Sequence, residues 1–281
     1  MEPSPGEIDP ERVARAAAAV RAARALVITA GAGMGIDSGL PDVRGDTGFW
    51  KAYPLYERLG LSFVDAADPI HFVRDPSFGW GFYGHRLELY RRTVPHAGFQ
   101  VLRRWVARFG LDAFVVTSNV DGQFQRAGFG EESIEEIHGS IHHLQCASGC
   151  SARIWRQEGN VEVDPATMRA TSLPHCPRCG GLARPNILMF NDWGWIADRS
   201  REQRRRREAF LVSCRALPLV VVELGAGTAI PSIRRFSEQL GSRSGTTVVR
   251  INPREPEIGG GHLSLVCGAL AGLAALDAAL V

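Results

Sequence analysis

The chain has 281 residues, of which 45% are hydrophobic and 22% charged. That length and balance fit one large or two modest globular domains with ample core. A formal charge of +2 excludes a strongly basic nucleic-acid binder and an acidic disordered tail. Lys51 is the single lysine and every other basic residue is arginine; this fits a GC-rich genome and leaves one lysine for modification in cis.

No stretch reads as a membrane span. The longest uncharged apolar run near the end, Leu263 to Leu276, is too short for a bilayer and reads as a buried C-terminal helix. Acids at Glu2, Glu7, Asp9 and Glu11 and the lack of an apolar leader core argue against a secretory signal, so a cytoplasmic protein is expected.

The proline-bearing first residues read as a loose lead-in. Glu11 to Arg24 has helical composition. A short apolar run follows, Ala25 to Ala30, closed by Gly31-Ala32-Gly33. Helix, buried strand and glycine turn in that order are the grammar of an α/β nucleotide-binding fold. It recurs at Ala113–Thr117, before Ser118-Asn119-Val120-Asp121-Gly122. It recurs again at Leu219–Leu224, before Gly225-Ala226-Gly227-Thr228, and at Thr247–Ile251, before Asn252-Pro253. Continuous apolar strands predict a parallel sheet covered on both faces. Ligands bind outside the carboxyl ends of such strands, so these ends should converge on one site.

Two stretches break the pattern. Residues 46–95 are aromatic-rich, with Phe49, Trp50, Tyr53, Tyr56, Trp80 and Tyr83, and residues 141–184 hold four cysteines. Both read as insertions that build a smaller domain, a helical insertion plus a metal module. Residues 12–45, 96–140 and 185–281 then form the Rossmann-like domain. Glu131 to Glu136 reads as an acidic helical run. Arg204-Arg205-Arg206-Arg207, between Glu202 and Glu208, reads as the solvated face of a helix.

Gly31-Ala32-Gly33-Met34-Gly35 follows a strand, where glycines let backbone N–H groups approach a pyrophosphate. Position 36 is Ile36, so the G-x-G-x-x-G spacing fails and a plain tight turn stays open. The cysteines are more specific. Cys146-x3-Cys150 and Cys176-x2-Cys179 form two short pairs that can bring four thiolates to one Zn2+. Four thiolates leave no position for water, so such a site is structural. Two disulfides or free buried thiols are the other reading, and His142, His143 and His175 lie near enough in sequence to replace a ligand. Cys214 and Cys267 read as small core residues.

Residues 31–45, GAGMGIDSGLPDVRG, resemble the first signature of the sirtuins, the NAD-dependent protein deacylases. Ser118-Asn119-Val120-Asp121 is similar to the family's Gln-Asn-Ile-Asp, and His138-Gly139 to its catalytic His-Gly. The four cysteines match its zinc module. Arg184-Pro185-Asn186 with Phe190-Asn191-Asp192 resembles its Arg-Pro…Phe-Gly-Glu stretch, and Ile251-Asn252 its late Ile-Asn. The collinear resemblance spans roughly residues 12 to 280 and identifies a divergent, bacterial-type member.

The resemblance implies NAD as a consumed cosubstrate, a structural Zn2+, and an acylated protein or peptide as partner, with neither nucleic acid nor membrane. It implies transfer of the acyl group from lysine to ADP-ribose, with release of nicotinamide. His138 becomes the base that takes a ribose hydroxyl proton, as an imidazole titrating near neutrality can. Asp121 holds the carboxamide and Asn119 the ribose end. Gly31, Ala32, Gly33, Asp42, Arg44, Ser118, Gly225, Gly227, Thr228 and Asn252 line the cofactor. Phe190, Asn191 and Asp192 form the edge that pairs with substrate peptide. Tyr83 and Arg86, three apart on one helix face, look like the acyl-pocket pair of desuccinylase-type sirtuins, suited to succinyl or malonyl groups. An aromatic core residue beside a surface arginine is the plainer alternative.

Several positions depart from the family pattern: Gly35 for Ser, Val43 for Phe, Ser118 for Gln, Asn191-Asp192 for Gly-Glu, and Gly225-Ala226-Gly227-Thr228 for Gly-Thr-Ser. Val43 leaves the nicotinamide pocket less covered, which keeps an ADP-ribosyltransferase or glycohydrolase open. A non-enzymatic NAD-binding interaction module is the further alternative.

Overall fold

The computed structural model describes residues 8–42 and 45–281; Val43 and Arg44 lie outside them. Helix α1 (Pro10–Ala22) leads into β1 (Ala25–Ala30) and a 3-10 turn over Ala32–Ser38. Five helices follow: α2 (Gly45–Ala52), α3 (Pro54–Arg58), α4 (Phe63–Ala66), α5 (Ile70–Arg74) and the long α6 (Pro76–Arg92). Next come α7 (Ala97–Phe109), β2 (Asp112–Thr117), α8 (Gln123–Arg126), β3 (Ile134–Glu136) and β4 (Gly139–Cys146). The cysteine stretch adds β5 (Ile154–Arg156), β6 (Val163–Asp164), β7 (Arg169–Ala170) and β8 (Ala183–Ile187). The chain closes with α9 (Asp198–Ser213), β9 (Leu219–Leu224), α10 (Ser232–Gly241), β10 (Thr246–Ile251), β11 (Leu263–Leu265) and α11 (Ala269–Leu280).

The main sheet runs β11-β10-β9-β1-β2-β3, with every neighbouring pair parallel. The chain builds outward from β1 through β2 to β3, then restarts at β9 on the other side of β1. That reversal makes a crevice at the carboxyl ends of β1 and β9, the usual ligand place in such sheets. Every residue of β1 and β9 is buried, as continuous apolar runs require. Alternate residues face opposite ways. Leu26 and Ile28 join α1, α7 and α11 through Val20, Trp105 and Leu273. Ala25 and Val27 join Ile233 and Leu240 of α10. A second core joins Phe49, Tyr56, Trp80 and Phe82 to Ile141, Leu144 and Ala183 of the antiparallel sheet β5-β4-β8. Both stretches that interrupt the strand-and-turn grammar meet there.

Four expectations need correction. The first helix begins at Pro10, with the Asp9 side chain accepting from the N–H groups of Glu11 and Arg12. Glu131–Glu136 is not helical: a 3-10 turn ends at Ser133, and Ile134–Glu136 is the sheet's edge strand. Acidic composition suggested a helix, but pairing with β2 and burial against α9 decide for a strand. Leu263–Leu276 is not one helix but β11 followed by α11, because Leu263–Leu265 completes the sheet beside β10. The arginine run is not wholly solvated. Arg207 lies 2.7 Å from the carboxylate of buried Glu135, with Arg204 at 3.4 Å, while Arg205 points outward. Among the described residues no helix is long and apolar enough to cross a membrane.

The turns after β1 and β9 touch backbone to backbone. The Gly33 N–H donates to the Gly225 carbonyl at 3.0 Å. A Cβ on Gly225 would lie 2.4 Å from Gly33 Cα, and Gly225 has φ +58°. Gly225→Ala should therefore clash and strain at once. We expect a loss of about 2–4 kcal/mol in urea unfolding, the range of severe backbone substitutions; a wild-type unfolding midpoint would refute this packing role.

Candidate active site and metal centre

The cofactor candidates form one linked set at the crevice. Asn119, just past β2, donates from Nδ2 to the Gly31 carbonyl at 3.0 Å, and its own N–H binds Thr117 Oγ1 at 3.0 Å. The Ser118 N–H donates to Ala30 O at 3.1 Å. Across the crevice, buried Asn252 donates to Ala226 O at 2.8 Å and accepts from the N–H groups of Arg254 and Glu255 at 3.0 Å each. Asp42 pairs with Arg254 at 2.6 Å. Arg44 is outside the described residues.

Glu255 was not anticipated. Its carboxylate takes the Thr228 N–H at 3.1 Å and also the Thr228 hydroxyl. Arg234, buried beneath, donates to the Glu255 carbonyl at 2.8 Å. The available signal was the charged pair Arg254-Glu255 just after Asn252-Pro253, where a loop at the carboxyl edge of the sheet meets the crevice.

Asp121 is almost fully buried. Burial pushes its pKa up to about 6; the Gln123 N–H on its carboxylate opposes that rise and nearby Glu136 adds to it. His138 sits half-buried between β3 and β4, one strand from Asp121. Burial lowers its pKa, against a hydrogen bond to the Ser118 backbone. The imidazole is therefore neutral at physiological pH and able to accept a proton. Its carbonyl takes the N–H of Leu188, which ties His138 to the segment carrying Phe190.

That segment treats its three candidates differently. The Phe190 ring packs edge-on against Phe63, 5.9 Å between centroids. Asn191 adopts a left-handed φ of +54° and donates to Asp68 at 3.0 Å. The Asp192 carboxylate is held by buried Arg184 at 2.7 and 2.8 Å, and it also accepts the N–H groups of Met189 and Gly194. The Asp192 side chain thus fixes the loop.

Tyr83 is buried within α6. The Arg86 guanidinium lies over the rings of Phe82 and Tyr90, each 5.2 Å away, and of Phe63 at 5.8 Å, and it donates to the Tyr90 hydroxyl. Among the described residues no carboxylate forms an ion pair with it. Asp75, one surface partner it could have taken, is held by Arg169 at 2.9 and 2.6 Å. Sequence reading found Tyr83 and Arg86 but not their ring neighbours: Tyr90 lies four residues on along α6, a spacing legible in the sequence, whereas Phe63 comes near only when α4 folds against α6.

The four cysteines meet at the far end of β4. Cys146 and Cys179 sulfurs are 3.7 Å apart, Cys150 and Cys176 sulfurs 3.6 Å, and all four lie within 4.8 Å of one another. Disulfides, at about 2.05 Å, are excluded. Tetrahedral Zn–S bonds of about 2.3 Å demand sulfur separations close to those found, so the donors fit a structural Zn2+. Backbone N–H groups support the thiolates: that of Cys179 is the main cause pulling Cys176 down to about 6. The histidines are not in the cluster. The His175 ring bonds the Gly180 carbonyl instead, and His142 turns toward Asp121. Cys214 is buried core as expected, whereas Cys267 is only partly buried.

A model of the Sir2 family matches residues 31–208. NAD-dependent protein deacylase 2 of Pyrobaculum aerophilum is 31% identical over 229 residues, covering 82% of this chain and 80% of that protein. NAD-dependent protein deacylase 2 of Corynebacterium efficiens is 29% identical, covering 89% and 90%. A crystal structure of a Sir2 homologue bound to NAD superposes with a TM-score of 0.71 at 22% identity, covering 99% of this chain and 96% of that one; at that identity the likeness concerns the fold.

The purified protein should carry about one zinc per chain. Cys176→Ala or prolonged chelation should lower folding yield and melting temperature, because such binding is coupled to folding. A folded, metal-free preparation with an unchanged melting temperature would reject the site.

Proposed function

The chain belongs to the Sir2 family, and from that premise we propose that it removes acyl groups from lysine side chains of proteins or peptides at the expense of NAD, with His138 as its base. NAD supplies the ribose carbon whose bond to nicotinamide is broken, and ADP-ribose carries the acyl group away. One water is consumed, and free lysine, nicotinamide and O-acyl-ADP-ribose are the products. The single observation that carries the reading is the half-buried imidazole of His138, its pKa lowered by burial, against the Ser118 backbone beside the turn that bears Asn119 and Asp121.

His138 takes a proton from a ribose hydroxyl. Asp121 holds the carboxamide of nicotinamide and Asn119 the ribose end. The turns Gly31–Ala32–Gly33 and Gly225–Thr228 line the phosphate end of NAD, with Ser118, Asp42 and Asn252 completing the cofactor cleft. The acylated peptide lies along Phe190–Asp192. Phe190 and Asn191 form a turn in this structure, and the Arg184–Asp192 pair anchors it where the peptide would dock.

Acidic acyl groups are the preferred substrates in this reading. Arg86 is a guanidinium with aromatic faces around it and no carboxylate of its own among the described residues. A terminal carboxylate on the acyl chain would supply one. Such charge-assisted bonds contribute about 1.5–3 kcal/mol, or roughly ten- to hundredfold in rate preference.

Two experiments test these roles. His138→Ala should keep NAD binding and lose deacylation by about a hundredfold or more; near-normal turnover would reject the base. Mass spectrometry of NAD with acetyl- and succinyl-lysine peptides should detect O-acyl-ADP-ribose and favour succinyl. Free or protein-bound ADP-ribose would instead indicate the transferase class. Arg86→Met should erase the succinyl advantage and spare deacetylation. An acetyl preference in the wild type, or equal losses on both substrates, would make Tyr83 and Arg86 structural.

A further inference from the structure

The turn bearing Asn119 and Asp121 is gripped from the side by β4, the strand that begins directly after His138. The Ile141 N–H donates to the Val120 carbonyl at 3.0 Å. The next side chain, His142, places Nε2 2.9 Å from the Asp121 carbonyl. A carbonyl accepts only, so Nε2 carries the hydrogen. The Cδ2–Nε2 edge of the His142 ring also lies against Gly122, where a Cβ would come within 2.7 Å of it, and Gly122 has φ +69°. The peptide between Asp121 and Gly122 is thus held by one ring edge, through a hydrogen bond to the Asp121 carbonyl and a close contact at Gly122.

We propose that His142 is a positioning residue for the Asp121 carboxylate, holding the turn so that the nicotinamide end of NAD is met in one orientation. The role rests on the reading of Asp121 as the nicotinamide-end residue. The Asp121 carboxylate is oriented chiefly by local backbone, accepting the Gln123 N–H at 2.9 Å at the first residue of the four-residue α8, with attraction to Arg86 beside it. If the backbone at Asp121 rotates, that bond and the carboxylate direction change together.

His142 does this as a neutral ring. Burial lowers its pKa; the bond to the Asp121 backbone opposes the shift, and Arg91, Arg156 and Arg126 nearby reinforce it. Gln157 N–H on the His142 carbonyl at 2.9 Å holds the residue from the β5 side. No sequence motif marks it. The metal reading had counted it among spare ligands, yet it faces away from the cysteines.

The test compares His142→Leu, which deletes the donor, with His142→Gln, whose amide nitrogen can reach the position of Nε2. Both are assayed for kcat, for KM of NAD and of acyl-peptide, and for exchange of labelled nicotinamide, with thermal melts alongside. His142→Leu should lower kcat/KM for NAD and the exchange rate about ten- to hundredfold, the scale of a misplaced reacting group, while the KM for acyl-peptide stays near wild type. His142→Gln should recover most of the loss. Should His142→Leu melt too low to assay, His142→Asn, whose shorter amide stops short of the carbonyl, takes its place. Wild-type exchange in the donor-less variant, or the same loss in His142→Gln as in His142→Leu, would overturn the role. Asp121→Asn run in parallel separates the two levels. If it leaves exchange intact, the nicotinamide-end reading fails and the positioning role with it. If it abolishes exchange while His142→Leu does not, only the positioning role fails.

Discussion

The contact between the turns after β1 and β9 is the constraint on which the rest of the site depends. Two strands that are neighbours in the sheet but far apart in sequence end in turns that touch through bare backbone, with Gly33 and Gly225 hydrogen-bonded. Only glycines allow that approach. Because the turns are this close, Asn119 reaches Gly31 from one side and Asn252 reaches Ala226 from the other. The result is one hydrogen-bonded edge at the carboxyl end of the sheet, at the crevice where ligands of such folds bind.

Charged groups inside the fold serve this rim more than they serve stability. Arg250 and Glu223 face each other across β10 and β9, both fully buried and 2.6 Å apart. They lie one residue before the strand ends that present Asn252 and Gly225. A buried ion pair adds little net free energy against a hydrophobic pair of similar volume, but losing one partner is costly. Here it fixes the register of two adjacent strand ends. Arg184 and Asp192 do the same for the loop after β8. Glu135 with Arg207 anchors α9 against the edge strand β3, just before His138.

The half of the molecule built from the two interrupting stretches meets the sheet half through β4. That strand starts beside His138, braces the Asn119–Asp121 turn through Ile141 and His142, and ends at Cys146 in the metal cluster. Metal binding, the candidate base and the candidate nicotinamide turn are thus mechanically joined along one strand of eight residues. Zinc, though distant from the chemistry, stabilises the end of the element that positions it. The aromatic core around Phe49, Tyr56 and Phe82 likewise sets the rings that surround Arg86.

The sequence by itself determined the parts that are local in the chain. Apolar runs of buried-strand length announced β1, β2, β9 and β10, and glycine and Asn/Asp turns marked the ends that carry the candidate site. The four cysteines announced the metal module, because short spacing alone brings thiolates together. Tertiary structure decided what depends on partners far away in the chain. Ile134–Glu136 and Leu263–Leu265 became strands because β2 and β10 offered an edge, against the helical suggestion of their composition. Arg207 turned inward because Glu135 was buried beneath it, and Asp192 was taken by Arg184. Glu255, Phe63 and His142 carry no signature, since each is defined by the group it touches across the fold. A periodicity or spacing records which residues share a face or a turn. Which distant backbone carbonyl or carboxylate that face will meet is fixed only when the layers pack.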